Sequence, residues 1–332
     1  MKRIVTPGRL LALGLILIVA VAAAYVVPSD EYIFLPDPAH PVAPLVKVQG
    51  GHAPAKGAVY FVDVVVRKAT LLEKLFGGLH EGADLYPASA VNPPGTNDAQ
   101  RRRIDLEDMH DSQQIAAAVA EKAAGKNVVM TQIGAKVEEV FGGLPAVGKL
   151  QPDDVIVDVN GHRTRTEQAV IKRVAMQKVG DVVAFTVRRG SKSLVERIRT
   201  TADPRKKTHP IVGVELAPAL DIHVPIPVRI DAGGVGGPSA GLAFALEVLE
   251  QLGRNVVHGK KIAATGEIFA NGQVGPIGGV KQKTIGARRA GVDAFLVPAG
   301  ENARDARRVA HGLRIIPVET FPQALHALAT LR

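Results

Sequence analysis

A glycine-rich stretch, residues 233–241, places one serine, Ser239, at the start of an apolar helix that we predict over residues 240–252. Backbone N–H groups at a helix start lack intrahelical partners and carry partial positive charge, so they stabilise an oxyanion placed there. A hydroxyl in this position can serve as the nucleophile of acyl transfer. The expected oxyanion donors are the backbone N–H groups around Gly237 and Ala240.

A serine hydroxyl needs a neighbouring base to take its proton. The nearest histidine, His258, lies in a turn and has no carboxylate partner at a recognisable spacing. Lys281 and Lys283 lie near the start of a helix predicted over residues 280–290, whose partly apolar face could carry a lysine into a dry site. Desolvation lowers the pKa of a lysine, and a neutral amine can act as a general base. Spacing alone leaves both lysines as candidates.

Three motifs in this region resemble the proteolytic domain of the Lon proteases, which use a Ser–Lys dyad. They are Pro-Ser-Ala-Gly at 238–241, Thr-Gly-Glu at 265–267 and Gly-x-Val-x-Pro-Ile-Gly-Gly-Val-Lys-x-Lys at 272–283. The resemblance implies that Ser239 is the nucleophile, that Lys283 is the base and that Thr265 hydrogen-bonds the lysine. Many Lon proteins carry an acidic residue two positions before the proline, whereas this chain has Gly236. A glycine turn of this kind, taken alone, is usually only a loop that leads into a helix, and lysines on helices are mostly solvated. The occurrence of all three motifs in this order favours the catalytic interpretation.

A second resemblance covers residues 150–161, Leu-Gln-Pro-Asp-Asp-Val-Ile-Val-Asp-Val-Asn-Gly. This run is similar to the core motif of PDZ domains, with Asp153 where glycine is usual. PDZ domains bind extended peptides by adding a strand to a sheet edge, while a loop takes the peptide carboxylate. We expect that loop around residues 133–136, although the usual loop signature is missing there. The alternative is a domain that only positions or gates the protease.

The composition argues against several other functions. The net charge is +9, but the basic residues are scattered, as at 101–103, 188–189 and 205–207, without interleaved aromatic residues or a nucleic-acid motif. We therefore expect no nucleic-acid partner. No phosphate-binding loop of the Gly-x-x-x-x-Gly-Lys-Ser/Thr type occurs, which predicts ATP-independent action. The ten histidines are dispersed, so we expect no metal and no cofactor.

An uncharged apolar run covers residues 10–27 and follows Lys2, Arg3 and Arg9. Its length is close to the roughly 20 residues that cross a bilayer, and a positive flank stays in the cytoplasm. This predicts a single-pass signal anchor in the cell membrane, with the protease domain outside the cytoplasm. The alternative is a cleaved signal peptide, because residues 22–24 are alanines. The absence of cysteine is compatible with that location.

The predicted fold is an α/β (α+β) proteolytic domain of the Lon type with a small β-rich PDZ-like domain and an N-terminal transmembrane helix. Strand-type residues at 58–67, from before the PDZ-like unit, are expected to join the proteolytic domain, which would make that unit an insertion. Ser112 is expected to cap a helix over 113–124, and strands are expected at 211–216 and 223–230. The predicted division is a cytoplasmic segment 1–9, an anchor 10–27, an N-terminal segment 28–125, a PDZ-like domain 126–201 and a proteolytic domain 202–332.

The sequence as a whole resembles the membrane-anchored Lon-like proteases with a PDZ domain. This implies an ATP-independent serine endopeptidase that cleaves extracytoplasmic proteins or peptides, with the PDZ-like domain binding or gating substrate. The expected partners are those substrates, the membrane and, as a further option, other copies of the chain in a homo-oligomer. The alternative is a catalytically inert, membrane-tethered adaptor that binds peptides through its PDZ-like domain.

Overall fold

The computed structural model describes residues 7–52, 56–92 and 97–331. The predicted break at 93–95 and most of the segment 1–9 lie outside this part. The helices are α1 (Pro7–Val26), α2 (Leu71–Leu75), α3 (Ala88–Val91), α4 (Asp98–Ala123), α5 (Glu167–Ala175), α6 (Gly241–Gln251), α7 (Val280–Arg289), α8 (Glu301–Val309) and α9 (Phe321–Ala329).

The strands alternate with these helices in the second half of the chain. They are β1 (Pro28–Pro36), β2 (His40–Pro41), β3 (Val46–Val48), β4 (Ala58–Phe61), β5 (Val64–Thr70), β6 (Asp84–Pro87), β7 (Val129–Val140), β8 (Val155–Val159), β9 (His162–Arg163), β10 (Val182–Arg189), β11 (Lys192–Arg199), β12 (Thr201–Ala202), β13 (Pro210–Ile211), β14 (Val214–His223), β15 (Val228–Ile230), β16 (Lys261–Ala264), β17 (Glu267–Ile268), β18 (Val274–Gly275), β19 (Ala294–Pro298) and β20 (Arg314–Val318).

A five-stranded sheet in the order β2-β4-β16-β19-β20 forms the centre of the proteolytic part. Its pairs are parallel except for β2 with β4. Parallel sheets are covered on both faces, so their strands are continuous apolar runs; all five residues of β19 are buried. Strand β4 belongs to the segment before the PDZ-like unit, yet it pairs directly with β16. Segments from before and after the PDZ-like unit in sequence therefore form one sheet.

Helix α6 lies at the centre of the larger core. All of its residues from Gly241 to Gln251 are buried; most are apolar, and the polar Glu247, Glu250 and Gln251 near its end form buried hydrogen bonds. Phe244 contacts Phe61 of β4 with their ring centroids 6.3 Å apart. The opposite face of the sheet has a second core, in which Phe295 and Val297 of β19 pack with Ala287 of α7. The sheet thus fixes the positions of the two helices that carry the predicted dyad.

A six-stranded sheet forms the PDZ-like unit, in the order β11-β10-β8-β7-β14 with β9 paired to β8. Its core contains Ile156, Phe185 and Val187, and α5 packs onto this core through Val170 and Val174. The backbone of Asp153 is left-handed, with φ 69°, which explains why glycine is usual at this position of the motif.

Two local predictions need correction in this region. Strands were expected at 211–216 and 223–230, but the main strand here is β14, which covers 214–223 and pairs with β7 along its whole length, while β13 and β15 cover only 210–211 and 228–230. Residues 133–136 lie inside β7 and are not a loop, so they cannot take a peptide carboxylate in the way expected. Pairing between β7 and β14 keeps both segments extended, because the ladder provides partners for backbone N–H and C=O groups.

Helix α4 begins at residue 98 and not near Ser112. Asn97 caps it, with Gln100 completing a capping box. Ser112 is a buried residue in its middle, so the predicted capping role is wrong. The first half of α4 is rich in charged residues and lacks an apolar stripe, and its helical state depends on what it packs against.

The prediction of a single-pass membrane protein is also wrong. Helix α1 covers Pro7–Val26, and its uncharged part starts only at Leu10. A bilayer crossing needs roughly 20 consecutive apolar residues. Within the described residues, no helix has both the length and the apolar character for this. The predicted cell-membrane location, with the protease domain outside the cytoplasm, therefore loses its basis.

Candidate active site

The turn before α6 places Ser239 at a helix start. Gly237 has a φ of 81°, a left-handed value that favours glycine, and the next three residues form a single 3-10 turn, Pro238–Ala240. Proline at the first helical position is suited to this site, because its missing N–H would be unpaired there in any case. Helix α6 then follows directly.

Helix α7 carries Lys283 into the interior. It begins after Gly279, and most of its first seven residues are buried. Lys283 is only 4% exposed. Its Nζ lies 2.6 Å from Oγ of Ser239, within hydrogen-bond distance. The structure therefore brings these two predicted side chains together.

Burial changes the protonation of this lysine. Desolvation lowers the pKa of Lys283 from 10.5 to about 8, and the nearby Asp63 carboxylate partly offsets this effect. With such a pKa, roughly a tenth of the amine is neutral at pH 7. Burial raises the pKa of Asp63 itself, and the charge of Asp37 raises it further. The amine is thus able to accept a proton near neutral pH.

The other candidate bases lie elsewhere. Lys281 forms an ion pair with Asp84, with 2.7 Å between Nζ and Oδ1, and its side chain is 39% exposed. His258 is exposed in a turn with a left-handed φ of 49°. Neither residue has a hydrogen bond to Ser239 within the described part of the chain.

Thr265 contacts the serine and not the lysine. Its Oγ1 donates to the backbone carbonyl of Ser239 at 3.1 Å. The N–H of Gly266 donates to the same oxygen at 2.8 Å. No hydrogen bond from Thr265 to Lys283 occurs in the part of the chain that the structure describes, so that contact stays a prediction. The threonine instead fixes the main chain that carries the nucleophile.

Helix α4 packs against the serine turn, and no residue pattern in the sequence predicts this contact. The N–H of Gly237 donates to the carbonyl of Asp105 at 2.6 Å, and Oγ of Ser112 donates to the carbonyl of Pro238 at 2.9 Å. A Cβ atom at Gly236 would lie 2.6 Å from Cβ of Asp105. Asp105 thus fills the space that an acidic side chain at 236 would need, and burial raises its pKa.

These contacts divide the predicted oxyanion donors. The N–H of Gly237 is already used by Asp105, so Gly237 does not fit that role as it stands. The N–H of Ala240 is the other predicted donor. It lies immediately after Ser239, at the N-terminal end of α6, where an anion is stabilised.

One group of side chains has the geometry to hold a metal ion. In the described part of the chain, Asp37, His40 and Asp63 offer ligand atoms that all lie within 4.8 Å of one another. Nε2 of His40 lies 3.0 Å from Oδ2 of Asp37 and 3.9 Å from Oδ1 of Asp63. The nucleophile and its neighbouring amine do not belong to this group.

The site thus holds a serine hydroxyl beside a buried lysine amine, next to a helix start on a mixed α/β scaffold. Comparison with family models finds two matches. Residues 196–330 match the C-terminal proteolytic domain of Lon protease (S16), and residues 122–199 match the PDZ domain. The chain therefore carries a proteolytic domain of the Lon family, which consists of serine peptidases, together with a PDZ domain.

Curated relatives agree with this assignment. Lon protease of Azorhizobium caulinodans is 32% identical over 226 residues, covering 63% of this chain and 26% of that protein. Lon protease of Rhizobium meliloti is 40% identical over 116 residues, covering 33% of this chain and 14% of that protein. The chain thus spans about a quarter or less of the length of these relatives.

Among solved structures, the PDZ domain of an SdrC-like protein from Listeria innocua is similar to this chain, with 30% identity and a TM-score of 0.24. The match covers 25% of this chain and 92% of that domain.

Proposed function

We propose that this chain is an endopeptidase in which Ser239 is the nucleophile and Lys283 is the general base. The observation that carries the proposal is the 2.6 Å separation between Oγ of Ser239 and Nζ of a buried Lys283. The lowered pKa of the lysine supports it further, because a base has to be partly neutral at working pH.

In the proposed reaction, the hydroxyl of Ser239 gives its proton to the neutral amine while Oγ attacks the scissile carbonyl. The carbonyl oxygen becomes negative and takes a hydrogen bond from the N–H of Ala240. Lys283 then returns the proton to the leaving amine, which produces an acyl-enzyme. A water molecule attacks the ester with the same lysine as base, and the serine is regenerated.

Peptides would reach this site as extended segments. Among the strands that the structure describes, β14 pairs only with β7, so its other edge has no partner strand there. An apolar groove of about 220 Å³ runs between this edge and α5, lined by Val170 and Val174 on the helix and by Val214 and Leu216 on the strand. We propose that the PDZ-like domain holds a substrate segment there by strand addition, which replaces the rejected site at 133–136.

We also propose that the PDZ-like unit is an insertion in the proteolytic domain, since β4 and β16 lie in one sheet on either side of it in sequence. Cleavage is proposed to be independent of ATP, because the 332-residue sequence has no phosphate-binding loop. A mass measurement of the full chain in solution would test for a homo-oligomer.

The test is cleavage of an unfolded protein and of quenched fluorescent peptides by the purified full chain, with and without ATP. We expect Ser239→Ala and Lys283→Met to lose at least about 1000-fold in kcat/KM, since each removes one half of a dyad that acts as a unit. Lys281→Ala is the matched control on the same helix and should stay within about threefold, because its amine is paired with Asp84. Thermal unfolding would establish that each variant is folded. Full cleavage by either dyad variant would refute the proposal.

A further inference from the structure

A cavity of about 670 Å³ opens between α4, the strands β7 and β14, and the strand β17. Pro238, which precedes Ser239, forms part of its wall, and the adjacent Ser112 is hydrogen-bonded to the Pro238 carbonyl. Consecutive Cα atoms are about 3.8 Å apart, so the cavity begins within one residue of the nucleophile. A peptide held at Ser239 would place a side chain close to the scissile bond at this opening.

Carboxylates dominate the polar part of the wall. The lining contains one cation, Lys136, and five carboxylates: Asp108, Asp111, Glu138, Asp153 and Glu267. The lysine lies 3.0 Å from Asp111 and 3.5 Å from both Asp108 and Asp153. This leaves Glu138 and Glu267 without a side-chain hydrogen bond or ion pair among the described residues. The cavity therefore has an excess of negative charge that its own cation does not balance.

Burial disfavours the ionised form of these carboxylates. Burial raises the pKa of Glu267 to about 7, and the neighbouring Glu138 and Asp108 raise it further. Burial raises the pKa of Asp153 to about 7 as well, and one of its carboxylate oxygens is buried without a partner. A bound cationic group would favour the ionised form of these carboxylates, so binding and ionisation would reinforce each other.

The remaining wall is apolar. Ile104 and Ile115 of α4 and Phe269 after β17 line the cavity. Lysine and arginine carry a long aliphatic stem below a charged head, and they bury that stem along apolar surface. A metal ion fits less well, because the residues whose ligand atoms converge closely enough in the described part are Asp37, His40 and Asp63, none of which lines this cavity.

We propose that this cavity, the acidic cavity, receives a lysine or arginine side chain of the substrate next to the scissile bond. The inference rests on the proposed function, since it assumes that the cleaved peptide lies at Ser239. It makes Glu138 and Glu267 specificity-determining residues for a basic substrate. The PDZ-like strand β7 and the proteolytic strand β17 would then read the same side chain.

Binding tests the inference without any cleavage. The full chain with Ser239→Ala is titrated with two fluorescent peptides that differ only by arginine against citrulline, a neutral side chain of nearly the same shape. At pH 8 and low salt we expect the arginine peptide to bind at least tenfold more tightly, and the difference to shrink in 0.5 M salt. Equal dissociation constants for the two peptides would overturn the inference, whatever the catalytic residues prove to be.

Cleavage then locates the residue that is read. A peptide library digested by the active chain should show arginine and lysine enriched at one position flanking the cut. We expect the arginine-to-citrulline ratio of kcat/KM to fall from about tenfold or more to threefold or less in the double variant Glu138→Gln/Glu267→Gln. The control is Glu319→Gln, an exposed glutamate outside the cavity, which should keep the full ratio. A ratio that survives in the double variant would overturn the inference.

Discussion

Replacement of Lys283 by methionine should stabilise the fold while abolishing cleavage. The buried amine lowers the free energy of unfolding, but the proposed reaction needs it as a base. Folding lowers the pKa of Lys283 from 10.5 to about 8. Each pKa unit corresponds to about 1.4 kcal/mol between the two protonation states, so the burial of this charge costs about 3 kcal/mol at pH 7. Methionine has a similar length, fills the same space and carries no charge.

The hydrogen bond from Lys283 to Ser239 is lost in the variant, which removes about 1 kcal/mol. The net gain in the free energy of unfolding is then about 2 kcal/mol at pH 7. The gain must depend on pH in a defined direction. Between pH 8 and 10.5 the unfolded chain binds the lysine proton and the folded chain does not, so the stability of the native sequence rises with pH through this window.

The assay is urea unfolding of both proteins at pH 7 and at pH 10, followed by circular dichroism. We expect Lys283→Met to be the more stable protein at pH 7 and to lose this advantage by pH 10. Lys281→Met is the control, because its amine is paired with Asp84 near the surface and its replacement should not stabilise. Equal or lower stability of Lys283→Met at pH 7 would refute the assignment of a desolvated lysine.

Four further outcomes are expected. The kcat/KM of cleavage should rise about fiftyfold from pH 6 to pH 8 and level off above, as a base with the pKa of about 8 given for Lys283 becomes neutral; a flat profile would exclude it as the base. Thr265→Val should lower the free energy of unfolding by about 1 kcal/mol and reduce kcat/KM severalfold, because the hydroxyl holds the main chain of the nucleophile; unchanged kinetics would limit this residue to packing. Gly236→Asp should destabilise the chain by about 1–3 kcal/mol through its collision with Asp105, and Asp105→Gly in the same chain should restore most of the loss in thermal unfolding; a tolerated single variant would contradict the close packing. Asp153→Gly should raise the free energy of unfolding by about 1 kcal/mol, because glycine adopts the left-handed backbone without strain; a loss of stability would show that the contact with Lys136 outweighs the backbone effect.

The pairing of Ser239 with Lys283 was predicted from the resemblance to the Lon proteolytic domain, while the glycine turn before each helix predicted only the local geometry. Glycine at 237 and 279 adopts φ values of 81° and 65°, which few other residues tolerate, so the motif itself encodes the local geometry. The turn between β8 and β9 of the PDZ-like unit was predictable from its Asn-Gly sequence, since Asn160 and Gly161 both have positive φ. At these positions the backbone needs a positive φ, and the residue type at the same position indicates this need.

The helix α4 could not be predicted in the same way, because its first half lacks an apolar period. It becomes helical through contacts with residues more than 100 positions away, such as the bond from Ser112 to Pro238. The contact of Thr265 with the serine main chain could not be predicted for a related reason. Thr265 lies 26 positions after Ser239, and only the packing of the segment after β16 against the start of α6 brings its hydroxyl to the serine main chain.

This same helix joins the two functional parts of the chain. One side of α4 holds the serine turn, through Asp105 to Gly237 and through Ser112 to Pro238. The adjacent Asp108 and Asp111 hold Lys136, which belongs to strand β7 of the PDZ-like sheet. Strand β7 is also the partner of β14, whose other edge forms the proposed peptide groove. Helix α4 therefore lies between the proposed peptide groove and the serine turn and contacts both parts within one unbroken helix.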